Sequence, residues 1–229
     1  MPPSRSGFRN PRSAGFTLKE LLAVIVGLCL LLALLFPYIA GCIRDATILP
    51  LLNQGSALSK ELLAKKLAGI PEEQVYPMTP RSGGGGKQYA SSTDYFHHLI
   101  QDEILSCDYS FFGGMGALPV KTIEAKRFTS ANNAWSVVVD APTTKNEQAP
   151  LFISRNLVLP DNRLPIGEDV NLQSLIENSA DQKLAFSNDR LVVVTISGSG
   201  SEVHKSYHLG PGKAHLLNPT GLRLPVLRP

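Results

Sequence analysis

The pattern of apolar and polar positions divides the chain sharply. Between Glu20 and Arg44 stand 23 residues without a formal charge, LLAVIVGLCLLLALLFPYIAGCI. As a helix this run extends roughly 34 Å, the thickness of a bilayer core. Twelve residues from Leu21 to Phe36 are Leu, Ile, Val or Phe. At about −0.3 to −0.6 kcal/mol each, they favour insertion by roughly −4 to −7 kcal/mol. No second apolar run of comparable length follows. Beyond Arg44 the pattern becomes amphipathic. Leu51, Leu58 and Leu62 fall near one face of a helix that can continue to Leu67, with Lys60, Glu61 and Lys65 elsewhere and a bend expected at Pro50. Gly69 and Pro71 supply its stop signals.

Residues 71–91, PEEQVYPMTPRSGGGGKQYAS, have the composition of a linker, with three Pro and four consecutive Gly. A second amphipathic helix is expected from Ser92 to about Leu105, carried by Tyr95, Phe96, Leu99, Ile100 and Ile104. The period then shortens. Ala134–Ala141, Leu151–Leu159 and Arg190–Ser197 are β-branched runs bounded by turn residues, and Glu202–Leu209 offers a fourth strand. The economical arrangement is a mainly antiparallel sheet against helices, an α+β head over residues 92–229. The Pro-rich NPTGLRLPVLRP terminus reads as an irregular surface tail.

Charge adds a topological statement. The chain has 229 residues and 22 Lys+Arg against 19 Asp+Glu, a net +3. Removing Arg5, Arg9 and Arg12 leaves 19 of each sign, so the excess belongs to the first fifteen residues. That excess is too small and too local to nominate a nucleic-acid binder. Placed before an apolar span, it keeps the N-terminus cytoplasmic and sends residues after Arg44 across the membrane. Three Cys exclude a disulfide-dense scaffold, with Cys29 and Cys42 in or at the end of the apolar run and Cys107 the one thiol beyond it. Ala40-Gly41-Cys42 matches only part of a lipoprotein cleavage box.

The most specific feature precedes the span: Gly15-Phe16-Thr17-Leu18-Lys19-Glu20 runs directly into the apolar helix. This resembles the class III signal of type IV prepilins and type II secretion pseudopilins. The resemblance implies a cut between Gly15 and Phe16 by a prepilin peptidase, N-methylation of Phe16, removal of a 15-residue leader (1–15), and a retained N-terminal helix over 16–70 with its transmembrane part at about 21–43. It implies a pilin-like fold, in which a long N-terminal helix packs on a mainly antiparallel β-sheet head. It also implies a structural subunit of a secretion or pilus-like filament, and as partners further pilin-like subunits and an inner-membrane assembly platform. Pro37 stands where the family often has a helix-loosening proline, and Lys19 at a position often uncharged there. Blocks around Asn133–Val139, Leu151–Leu157 and Leu191–Val194 look like segments of some bacterial pseudopilin-like heads.

Physical chemistry supports parts of this independently. Gly15 leaves the backbone open to a protease. Glu20 costs roughly 2.5 to 3.5 kcal/mol if carried toward the bilayer centre. A free amine at Phe16 of one subunit meeting Glu20 of another would neutralise it and set axial register. The alternative for Glu20 is a headgroup position at a helix N-terminus, where negative charge is favoured.

No catalytic constellation emerges, and an enzyme is not expected. Adjacent His97 and His98 diverge by about 100° on a helix. His204 and His208, on a strand, lie about 13 Å apart, too far for one ion. Asp161, Glu168 and Asp169 form an oxygen-rich loop conceivable for calcium, without the spacing of a known ligand loop. Gly86-Lys87 fails as a phosphate loop because Gln88 replaces the required hydroxyl residue and Arg81 the first Gly. Ser197–Ser201 reads as a hairpin loop, without the Ser-centred pattern of a nucleophile elbow. The rival to a filament subunit is a signal-anchored periplasmic binding domain or enzyme whose N-terminus is only a tether.

Overall fold

The computed structural model of the chain describes residues 17–80, 87–114, 127–159, 161–166, 175, 190–204 and 217–229. It divides into two units, residues 1–43 and 44–229. The described part of the first unit is helical from Leu18, the start of helix α1 (Leu18–Leu67), and is taken up below with its exposed surface. The element stays helical past Pro37 and Pro50 to Leu67, the C-terminal limit expected from the sequence.

The second unit is α+β. It contains the remainder of α1, α2 (Glu72–Val75), α3 (Ser92–Gln101), and strands β1 (Trp135–Val138), β2 (Pro150–Ser154), β3 (Arg190–Thr195), β4 (Gly200–His204) and β5 (Val226–Leu227). All pairings are antiparallel, in the order β4-β3-β2-β1-β5. Register places Val137 opposite Phe152 and Phe152 opposite Val194, so these side chains share a face with Trp135. Every residue of β1 and β2 is buried. Apart from the buried Ser136 and Ser154 their sequence is apolar, which suits strands covered on both sides.

Within this unit α1 supplies the spine of the core. Ile48, Leu51, Leu58 and Leu62 are buried at helical spacing, with Gly55 and Ser59 on the same stripe. The two small residues let helix and sheet approach. A Cβ at Gly55 would lie 2.7 Å from both Trp135 Cη2 and Val194 Cγ2. The Ser59 hydroxyl is shared between the carbonyls of Thr195 (2.7 Å) and Ile196 (2.9 Å), and Ser56 donates to the Gly198 carbonyl. The β3–β4 hairpin is thereby tied to the helix at the point where Gly198 takes φ +81°.

A buried polar knot fixes α3. Asn133 donates to Ser92 Oγ (2.9 Å) and Thr93 Oγ1 (3.2 Å), and its carbonyl accepts from Trp135 N (2.9 Å). Ser92 Oγ donates to Trp135 O (2.7 Å), while Ser92 N donates to Arg228 O (2.9 Å). Satisfied groups of this kind specify one arrangement, because each would be costly if orphaned.

Several sequence expectations need correcting. Part of the stretch read as linker belongs to the core: Val75, Tyr76 and Pro77 are buried, and Tyr95 Oη donates to Val75 O at 2.6 Å. The proline content misled, because Pro71 in fact stands at the N-cap of α2 and Pro77 accepts from Asp140 N at 3.0 Å. The C-terminal tail is not irregular throughout, since Val226 and Leu227 pair with Val138 and Val137 as an edge strand. Pro225 precedes the strand and accepts from Val139 N at 2.8 Å, so its missing N–H forgoes only the bond at the end of the β1–β5 ladder. Helix α3 ends at Gln101 rather than Leu105, the chain turning through Glu103 at φ +56° so that the amides of Ile104 and Leu105 both return to Leu99 O. Strand β4 begins at Gly200, two residues before the expected start, and residues 205–209 lie outside the described residues.

Replacing Gly55 with Ala should lower the stability of the 44–229 unit by about 1 to 3 kcal/mol through overpacking against Trp135 and Val194. Gly27→Ala, with nothing within 4 Å of the added carbon, should leave the same transition in place. Chemical denaturation of both full-length variants in detergent, followed by Trp135 fluorescence, measures the difference.

Candidate functional site

The clearest departure from a sealed protein surface lies in the described part of the first unit. Leu18–Phe36 forms a 19-residue helix long and apolar enough to cross a membrane, and none of it is buried within the chain. Leu18 is 83% exposed, Leu34 76% and Phe36 73%. Single exposed leucines are ordinary on protein surfaces, but a whole apolar helix with no cover is not. Its aliphatic circumference calls for lipid or for other apolar helices.

The start of this helix is closed by a reciprocal cap. Thr17 donates to the Glu20 carboxylate through its backbone N–H and its hydroxyl, each at 2.8 Å, and the Glu20 amide reaches Thr17 Oγ1 at 3.4 Å. The spacing is that of a capping box, with Thr at the N-cap and Glu at the third helical position. In the isolated chain, therefore, the acid at the mouth of the apolar helix satisfies the backbone N–H of Thr17, which would otherwise be orphaned, and it sits at the favourable end of the helix dipole. Both residues are exposed, so the carboxylate remains accessible to a group from outside the chain. Gly15 and Phe16 lie outside the described residues, as does the side chain of Pro37.

In the second unit the sequence-selected groups resolve individually. His97 is held on both ring nitrogens, Nδ1 with Tyr109 Oη (3.1 Å) and Nε2 with Phe128 O (3.1 Å). Its neighbour His98 is 9% exposed and points elsewhere, with Nδ1 3.1 Å from both Asp102 Oδ2 and Lys87 Nζ. The structure thus separates the two histidines, as adjacency on a helix requires. Sequence reading did not single out Lys87 with His98 and Asp102; the His98–Asp102 i,i+4 spacing was the available signal.

Asp161 accepts from Arg163 N at 3.2 Å and lies 3.6 Å from Arg223 Nη1. Glu168, Asp169, His208 and the side chain of His204 are outside the described residues. Among the described residues no group of three or more His, Cys, Asp or Glu is placed to hold a metal ion. Cys107 is half-buried, and burial, reinforced by Glu61, pushes its thiol up to about 11. It is therefore a thiol at neutral pH, a poor nucleophile.

The chain has no match among models of known protein families, curated proteins or solved structures. The functional reading accordingly rests on the chemistry of the exposed helix and its N-terminal motif.

Thr17→Ala should weaken the first turn of α1 by about 1 kcal/mol while leaving the helix beyond it intact. Amide hydrogen exchange at Leu18–Leu21 of the full chain in micelles reads this directly: faster exchange there, and unchanged exchange after the second turn, is the expected result.

Proposed function

We propose that the chain is a pilin-like structural subunit, of the kind found in type II secretion or type IV pilus-like filaments, processed after Gly15 and assembled through its N-terminal apolar helix. The observation that carries this reading is the junction of Gly15-Phe16-Thr17-Leu18-Lys19-Glu20 with a helix left wholly uncovered by its own chain. Two further features support it. The same helix continues past Arg44 as the buried spine of an α+β head, and the sheet of that head is antiparallel. A tether needs neither a specific residue before its span nor a helix that runs on into the core of the domain it carries.

The mechanism is mechanical. Arg5, Arg9 and Arg12 hold the N-terminus on the cytoplasmic side of the inner membrane, and the head lies in the periplasm. Cleavage by a prepilin peptidase removes the basic leader and exposes an α-amine at Phe16. Subunits, this chain with copies or other pilin-like chains, leave the bilayer when apolar contact between helices replaces contact with lipid. Glu20 is the carboxylate immediately before that apolar surface. Pairing it with the amine of an adjacent subunit removes an uncompensated charge from a low-dielectric interior and fixes the axial offset between helices. The reading needs no cofactor.

Intact-mass and N-terminal peptide mass spectrometry of the membrane-bound form should give a chain beginning at N-methylated Phe16. A mature N-terminus elsewhere overturns the processing assignment. Glu20→Ala should insert and be processed as the unaltered chain is, yet fail to form higher-order assemblies by in-cell crosslinking. Normal assemblies from that variant overturn the pairing role, while leaving the processing result to stand or fall separately.

A further inference from the structure

The head carries a cluster that neither membrane anchoring nor assembly uses. Helix α3 places His98 and its C-cap Asp102 one turn apart, and the segment 87–89, in neither helix nor strand, lies across them. His98 Nδ1 is 3.1 Å from Asp102 Oδ2 and 3.1 Å from Lys87 Nζ, and Lys87 Nζ is 3.2 Å from Asp102 Oδ2. The Tyr89 ring packs on His98 with centroids 5.5 Å apart and meets Tyr95 edge-on at 5.3 Å. The imidazole is 9% exposed, whereas the side chains of Lys87 and Asp102 are 55% and 49% exposed. A buried titratable ring therefore sits beneath a strap whose cation is free to leave.

The three groups compete for one set of contacts. In the neutral tautomer whose Nδ1 carries the lone pair, His98 accepts from Lys87 at 3.1 Å, and Lys87 also holds Asp102 at 3.2 Å. That tautomer puts the remaining proton on Nε2, which is buried and has no partner among the described residues. When His98 gains a proton, Nδ1 becomes a donor. It can then pair with Asp102 but can no longer accept from Lys87, and two positive charges face one another at 3.1 Å. The exposed ammonium is the member that can move into water.

We propose that residues 87–89 form an acid-released strap: protonation of His98 transfers Asp102 from Lys87 to the imidazolium and frees Lys87–Tyr89 from α3. Burial and the Lys87 charge both hold the His98 pKa below its ordinary 6.5, and Asp102 opposes them. The other titratable groups around the ring are Tyr89 on the strap and, on α3, Asp94, Tyr95 and His97; His97 is engaged by Tyr109 and Phe128. The sign follows from linkage. A histidine kept neutral by the fold stabilises the closed strap fully above its ordinary value, and that contribution is lost as pH falls through 6.5 toward the lowered value. The strap also borders a hollow lined by Pro77, Met78, Val139 and Leu227, beside edge strand β5. Its release exposes the Tyr89 ring and widens that hollow.

The test is hydrogen exchange of the full chain in micelles at about pH 8 and about pH 5, corrected for intrinsic rates, with the His98 ring followed by selective labelling and NMR. Protection across the peptide containing Lys87–Tyr89 should fall about tenfold or more at the lower pH, while β1 and β2 keep theirs. His98→Gln should abolish the pH response. Lys87→Met provides the second arm: the His98 midpoint should rise, and residues 87–89 should exchange equally at both pH values. The proposal is overturned if the unaltered chain shows no change at 87–89, if His98→Gln retains the response, or if Lys87→Met leaves both the midpoint and the response unaltered.

Discussion

An apolar helix that its own chain does not cover is the constraint from which the rest follows. Each buried aliphatic side chain is worth roughly 1.5 to 3 kcal/mol relative to exposure in water, so the surface from Leu18 to Phe36 cannot remain in water. Lipid or other apolar helices are the environments that would relieve that cost. The head makes the opposite use of the same helix: from Ile48 to Leu62 the apolar stripe is narrow, and it is buried in the core of the head. One element thus changes from an all-round apolar surface to a one-sided stripe, and the change in pattern marks the passage from a surface that needs an external partner to one that has an internal one.

The interior contact that secures this division is the close approach at Gly55 and Ser59. A narrow helix face lets Trp135 and Val194 reach the backbone, and the Ser59 hydroxyl attaches the end of β3 to α1. The Asn133 knot does the equivalent for α3 and the C-terminal segment, drawing Ser92, Thr93, Trp135 and Arg228 into one hydrogen-bonded set. These two attachments tie the sheet to α1 and α3. The polar groups between strap and α3 are of another kind: a half-exposed ammonium and carboxylate share contacts with a buried imidazole.

Much of this organisation was legible in the sequence, for identifiable reasons. The uncharged run and the stripe at Leu51, Leu58 and Leu62 are dictated by periodicity, and the three principal strands announce themselves through β-branched residues. What escaped depends on contacts distant in sequence. Val75 and Tyr76 sit among prolines, and only the Tyr95 hydroxyl and the core around it show that they are interior. Val226 and Leu227 form too short a strand to carry a pattern, and their pairing with β1 is set by register across some ninety residues. For the candidate site, the motif Gly15–Glu20 and the span were readable directly, and the Thr17–Glu20 cap follows from a local spacing. The His98–Asp102–Lys87 cluster was not, because Lys87 reaches α3 from a segment whose composition suggests only a loop.

In the proposed function the N-terminal helix does the work of assembly and is more than a tether. The most direct test replaces residues 1–43 with an unrelated single-span anchor in the cell that makes the protein. Crosslinking between subunits should be lost while the 44–229 unit keeps its folded protection from protease. Undiminished assembly by the chimaera would contradict the account.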